Sequence, residues 1–311
     1  MKRKRTKKSL YHGLLLALLL GILYALFGEF FKVQPGEDPA TFSSQEKGLM
    51  TVFFLDVGQG DSELIHLPDG QTMLIDAGNP ENGPQIVDAL RLLGIKRIDT
   101  LIATHPHADH IGGMAQVVRS VSVGSVYMPK VSTNTKTFEE LLDTIRGKNL
   151  GIHTAKAGVK LYDGEGVSAT MLAPVGSHYD DLNQYSAVVR LVYGKTSFLF
   201  TGDAGEESEK QIQGNIRSNV LKVGHHGSST STSKEFLRRV SPAYAVIEVG
   251  KGNTYGHPAK PTLTKLKEIG ARIYRTDEEG TVKMVSNGTQ ISVETHVDFS
   301  SGPASSWEKA A

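Results

Sequence analysis

The order of apolar runs along the chain predicts an α/β fold in four layers, two β-sheets packed together with helices outside, an αββα sandwich. Three observations point there. Strand-like runs followed by a helical run occur in the first half and again in the second. The 311 residues, 39% of them hydrophobic, suffice for one large core. Turn residues at Asp69-Gly70 and Gly194-Lys195 separate neighbouring strand runs closely enough to make hairpins.

Taken in order, residues 1–8 are cationic and residues 10–27 almost wholly apolar. As a helix that run is roughly 27 Å long, close to a bilayer core. Basic residues ahead of it place the N-terminus in the cytoplasm and the remainder outside. Residues 1–29 are therefore expected to be a membrane anchor. The alternative is a cleaved signal peptide and secretion, for which Ala25-Leu-Phe27-Gly28-Glu29 offers no good pair of small residues. Residues 30–48, with Pro35, Gly36 and Pro39, read as a linker. The folded body is expected over 49–296, and the Ser/Gly/Pro/Ala-rich tail, 297–311, as disordered.

Within the body, strands are expected at 49–56, 63–67 and 72–76, a helix at 85–93 closed by Gly94, and a buried strand at 100–103. A helix follows at 112–119, a strand at 123–128, a helix at 138–148, and strands at 151–153 and 167–173. The second half opens on a hairpin of 186–192 with 197–201. Helices at 205–212, 234–240 and 261–269 then alternate with strands at 220–223, 243–248 and 272–274, and strands at 281–285 and 291–294 finish the body.

Composition narrows the chemistry. The chain has no cysteine, which excludes thiolate metal sites and disulfides. Its formal net charge is +1, but six of the 34 Lys and Arg lie in the first eight residues. The remainder carries 28 basic against 33 acidic residues, so the body is not a generally basic nucleic-acid binder.

The densest chemistry lies in Leu101-Ile-Ala-Thr-His105-Pro-His107-Ala-Asp109-His110-Ile-Gly-Gly113. His105 and His107 are two apart, so they project together while the chain stays extended. Asp109 and His110 fall past a turn and face a second point. Imidazoles with a carboxylate suit zinc, or manganese and iron when more oxygens join.

His105-x-His107-x-Asp109-His110 resembles the signature of the metallo-β-lactamase fold. The runs Phe54-Leu-Asp56-Val-Gly-Gln-Gly60-Asp61-Ser62, Leu74-Ile-Asp76-Ala-Gly78, Thr201-Gly-Asp203, Gly224-His225-His226-Gly-Ser228 and Asn253-Thr-Tyr-Gly-His257-Pro258 are similar to one branch of it. That branch is the hydrolase domain of the ComEC/Rec2 DNA-uptake proteins and its stand-alone relatives. The resemblance implies the αββα fold and up to two divalent metal ions, zinc or manganese. By position, His105 and His107 would hold one ion, Asp109 and His110 the other, and Asp203 would bridge them. Of the histidine pair, His225 is expected to complete the second site, with His226 facing substrate or supporting from behind. Asp109, Asp203, His226 and His257 are the expected catalytic set. Asp76 would hold a metal histidine through its other nitrogen, and Asp61 either does the same or merely shapes a tight turn. Ser228 and Asn253 are expected at phosphate or leaving-group oxygens.

One departure stands out. Many superfamily members carry a third histidine for the first ion, whereas Asn183-x-x-Ser186 occupies that place here and His178 lies on a loop nearby. Either Asn183 is a weak oxygen ligand or water takes the position, and the first site is expected to be the weaker.

The reading that follows is an extracytoplasmic, metal-dependent phosphodiesterase, DNase-like by resemblance, in which a hydroxide bridging the two cations attacks phosphorus. DNA or a small phosphodiester would be the substrate, and the membrane a partner through the N-terminal segment. The competing readings are a β-lactam or lactone hydrolase, and a non-catalytic component of a DNA-uptake apparatus.

Overall fold

A computed structural model of the chain describes residues 48–299. The expected anchor (1–29), nearly all of the linker (30–48) and most of the tail (297–311) lie outside these residues. Among the described residues no helix is long and apolar enough to cross a membrane.

The strands fall into two sheets. In chain order they are β1 (Met50–Phe54), β2 (Glu63–His66), β3 (Thr72–Ile75), β4 (Arg97–Ile102), β5 (Ser122–Met128) and β6 (Ile152–Thr154), then β7 (Lys160–Gly164), β8 (Val167–Ala173), β9 (Val188–Tyr193), β10 (Thr196–Phe200), β11 (Val220–Lys222), β12 (Tyr244–Ile247) and β13 (Arg272–Arg275). The chain closes with β14 (Thr281–Ser286) and β15 (Ile291–Val297). The first sheet runs β15-β14-β1-β2-β3-β4-β5-β6, and the second β13-β12-β11-β10-β9-β8-β7. The C-terminal hairpin thus returns to the first sheet, where β14 pairs antiparallel with β1. Beyond it Phe299 sets its ring edge-on against Phe53 at 5.5 Å.

Side-chain alternation builds the layers. Along β1, Met50, Val52 and Phe54 enter the core between the sheets, whereas Phe53 points to the opposite face beneath helices Gly83–Leu92 and Met114–Ser120. Along β10, Phe198 and Phe200 enter the same inter-sheet core, while Leu199 packs with Phe236, Leu237 and Val240 of helix Lys234–Val240. A strand buried on both faces satisfies two cores at once, and that makes four layers.

Two elements depart from the expected order. The helix expected at 112–119 is two, Ala108–Ile111 and Met114–Ser120, separated at Gly112-Gly113. A Cβ on Gly112 would collide with the backbone of Asn79 and Pro80, so only glycine lets the two segments approach this closely. The second is β7, a strand not among those expected, which lies at the edge of its sheet with Lys160 and Asp163 exposed.

Strands β3, β4 and β5 run parallel, as do β10 to β13. Each sheet therefore delivers the C-terminal ends of several strands to one edge, the place where open α/β sheets bind ligands. Asp76 follows β3, His105 follows β4, Asp203 follows β10 and the histidine pair follows β11.

Candidate metal centre

Beyond β4 the chain bends at His105-Pro106, and His107, itself in extended backbone, stands at the start of helix Ala108–Ile111. This places His105 Nε2 3.0 Å from His107 Nδ1 and sends Asp109 and His110 around the turn. From the other sheet Asp203 arrives between them. Its Oδ1 is 3.3 Å from His110 Nε2, and its Oδ2 is 4.0 Å from His105 Nε2. The carboxylate faces both halves of the cluster, as a bridging group must.

Both histidines of the pair face Asp203. His226, expected to face substrate or to support from behind, is fully buried with Nε2 3.3 Å from Asp109 Oδ2 and 3.7 Å from Asp203 Oδ2. Its Nδ1 lies 3.0 Å from the Glu248 carbonyl and 3.2 Å from Asp61 Oδ1, which leaves Nε2 free to coordinate. His225, expected as the ligand, is partly exposed, with Nε2 3.5 Å from Asp203 Oδ2. Both residues adopt left-handed backbone, φ 50° and 52°, which costs energy in a non-glycine residue. Two left-handed residues in succession turn the chain tightly, so one ring lands inside and the other at the rim. Alternation along a strand could not have foretold which.

The groups behind the ligands are tightly fixed. Asp76 Oδ2 lies 2.7 Å from His110 Nδ1 and accepts from the Thr104 hydroxyl at 2.6 Å, while its Oδ1 accepts from Thr104 N–H at 2.8 Å. Asp61 is buried against His226, His110 and Lys222, so it does more than shape a turn. Ser186 Oγ sits 3.4 Å from His105 Nδ1 and accepts from Asp203 N–H at 3.1 Å. Asn183 occupies the short helical turn Leu182–Tyr185, where its own N–H donates to Asp181 and its Oδ1 is buried without a hydrogen bond. His178 is solvent-exposed beside Asp180.

Two expected substrate contacts are committed elsewhere. Asn253 spends its side chain bracing its own loop, donating to Gly250 and His257 carbonyls and accepting from His257 N–H. Ser228 shares its hydroxyl with Thr230 in a turn. His257 lies near the mouth, its ring 5.6 Å from that of His225.

Three buried charges were not among the expected site residues. Lys222 is fully buried and ion-paired to Asp61. Glu63 and Glu248 lie within 4.8 Å of Asp61. The available signal was a lysine in the apolar run Val220-Leu-Lys-Val223 and a glutamate opening a buried strand. Charge there needs a partner inside.

Electrostatics separates the histidines. Burial alone would push His226 down, but Asp203 and Asp61 outweigh it and hold the ring up at about 10. His110 is likewise held well above its ordinary range against the cost of burial, by Asp203, Asp61 and Asp76. His105 is held well below, by burial and by His110. Asp203, although buried, is kept well below the usual carboxylate range by His110 and His226.

The donor set fits divalent metal. His110 Nε2, Asp203 Oδ1 and His226 Nε2 are buried, converge, and make no hydrogen bond. Such orphaned polar atoms are costly unless a cation meets them. Asp109, His110, Asp203 and His226 would hold one ion. His105, His107 and the other Asp203 oxygen form a looser set for a second.

The sequence profile of the metallo-beta-lactamase superfamily matches residues 55–250. The chain is 32% identical over 252 residues to ComE operon protein 3 of Bacillus subtilis, covering 75% of this chain and 32% of that one. It is 33% identical over 233 residues to competence protein ComA of Neisseria gonorrhoeae, 73% and 31% of the two chains. With recombination protein 2 of Haemophilus influenzae the identity is 29% over 250 residues, 78% and 30%. The chain spans about a third of the length of these curated relatives.

Proposed function

The chain belongs to the metallo-β-lactamase superfamily, with homologues in the ComEC family, and from that premise we propose that it is an extracytoplasmic, metal-dependent phosphodiesterase acting on DNA strands or smaller diesters. The observation that carries the reading is the convergence of His110 and His226 on Asp203 and on Asp109 across the two sheets. Bound divalent ions, zinc or manganese, would supply positive charge to the phosphoryl oxygens and acidify a water. The protein's own groups set the geometry. Asp203 faces both sets of ligands, Asp76 fixes the His110 ring, and the Glu248 carbonyl fixes that of His226. His225 and His257 stand at the rim, where a leaving oxygen would pass.

Relatives named for competence and recombination favour phosphodiester over carbonyl chemistry. The acidic body favours single strands or small diesters over long duplex, since a duplex needs a positive track for its backbone. The cationic and apolar residues 1–27 motivate placement on the outer membrane face.

The test is turnover by the full-length protein with zinc or manganese of bis-p-nitrophenyl phosphate, single-stranded and duplex DNA, and nitrocefin. Diester and single-strand cleavage, lost in Asp203→Asn and His226→Ala, is the expected result. Turnover of nitrocefin alone refutes the reading. Protection of the domain from protease added to intact cells refutes the topology.

A further inference from the structure

Between β12 and helix Lys260–Glu268 the chain makes a loop, residues 250–258, whose residue Tyr255 is 71% exposed, the largest value among the exposed large hydrophobics of the described residues. An aromatic ring held in water normally finds cover, yet this loop cannot fold it away. Asn253 ties the loop at both ends, to Gly250 and to His257. Pro258 packs on Gly227, and Ala259 N–H donates to the Gly227 carbonyl at 2.9 Å. The brace therefore fixes Tyr255 relative to the histidine turn.

The ring planes line up. Tyr255 stacks on His257 with centroids 5.8 Å apart and planes 26° apart, and His257 stacks on His226 at 6.3 Å and 29°. Two ring-to-ring steps lead from the buried ligand His226 to a free aromatic face in solvent. Exposed lysines, Lys251 and Lys260, bound the loop in sequence. A planar π surface, on a loop flanked in sequence by lysines and joined by ring contacts to the proposed phosphodiester site, matches a nucleotide, which carries its base one sugar away from its phosphorus.

We infer that Tyr255 is a stacking platform for a nucleobase, placed so that the adjoining phosphodiester enters the metal centre. This rests on the phosphodiesterase reading and narrows it to nucleobase-bearing substrates. Stacking accepts any base, so the platform selects for nucleic acid without selecting sequence.

The experiment compares a decathymidylate with a decamer of the same backbone and charge whose residues are abasic tetrahydrofuran units. Full-length protein is used for kcat/KM with metal and, separately, for binding by fluorescence anisotropy in chelator. The wild type should favour the base-bearing strand by roughly 5- to 150-fold, the span expected for one stacked base. Tyr255→Ala should bring that ratio toward one, and Tyr255→Trp should restore it. An unchanged ratio in Tyr255→Ala, or no preference in the wild type, overturns the inference. If neither strand is cut with any metal but the binding ratio behaves as expected, the platform stands and the phosphodiesterase reading falls.

Discussion

Lys222 is a charge in the interior, its ammonium paired with Asp61 and donating to the Gly202 carbonyl at 3.2 Å. Removing one partner of such a pair leaves the other buried and uncompensated, which costs about 3–5 kcal/mol. Lys222→Met is expected to lose stability in that range by urea unfolding, and Lys222→Met with Asp61→Asn to lose less. A lysine that served only to meet DNA would show neither effect. Titration gives a second expectation at this scale. His226 is raised from 6.5 to about 10, so its stabilisation is complete below pH 6.5 and is lost as pH climbs toward 10. Glu248 is raised from 4.5 to about 8 by burial and then by Asp61, so keeping it folded grows costlier from pH 4.5 to 8. Both act in the same direction between pH 6.5 and 8. The urea midpoint of metal-free protein should fall across that window, and a midpoint that rises there refutes the assignment. Metal should remove the His226 share, because an ion replaces its proton. The ligands themselves were legible, since four of them crowd into residues 105–110. The buried charges behind Asp61, namely Lys222, Glu63 and Glu248, were not, because no spacing links residue 61 to residue 222.

The turn carrying His225 and His226 works only because of its neighbour, Gly227, at φ +83° with its absent Cβ 2.6 Å from Pro258 Cβ. Gly227→Ala adds strain in a left-handed residue and pushes the loop 250–258 off the histidine turn. A loss of about 1–3 kcal/mol in urea unfolding is expected. Activity should fall further than that loss of folded protein explains, and a variant as active as wild type would show that the turn and loop move independently. Strands with two apolar faces, β1 and β10, were readable from composition alone. The edge strand β7 was not, because it carries Lys160 and Asp163 and has no fully buried residue to betray it. Which of the two histidines turns inward depended on backbone dihedrals that a pair of identical letters does not encode.

Across the whole molecule, His105 to His110 come from the first sheet, Asp203 and His226 from the second. An ion held by both adds RT ln(1 + [L]/Kd) to unfolding, about 4 kcal/mol at a thousandfold excess over Kd. Thermal melts should therefore rise with added zinc or manganese and lose that gain in Asp203→Asn. A gain that survives the substitution would place the ion elsewhere. The pairing of the two sheets was predictable as two blocks of strands and helix, whereas the return of β14 to β1 depends on contacts between the chain's distant ends. The split origin of the ligands also sets a timetable for synthesis. A nascent chain that has emerged through Gly113 owns one jaw of the clamp, three histidines and Asp109, without Asp203, the carboxylate that faces both sets of ligands. Nearly a hundred residues must follow before Asp203 exists, and more before His226 does. Ions captured in that interval are held by half a site, so the choice of metal is settled late, by the finished chain.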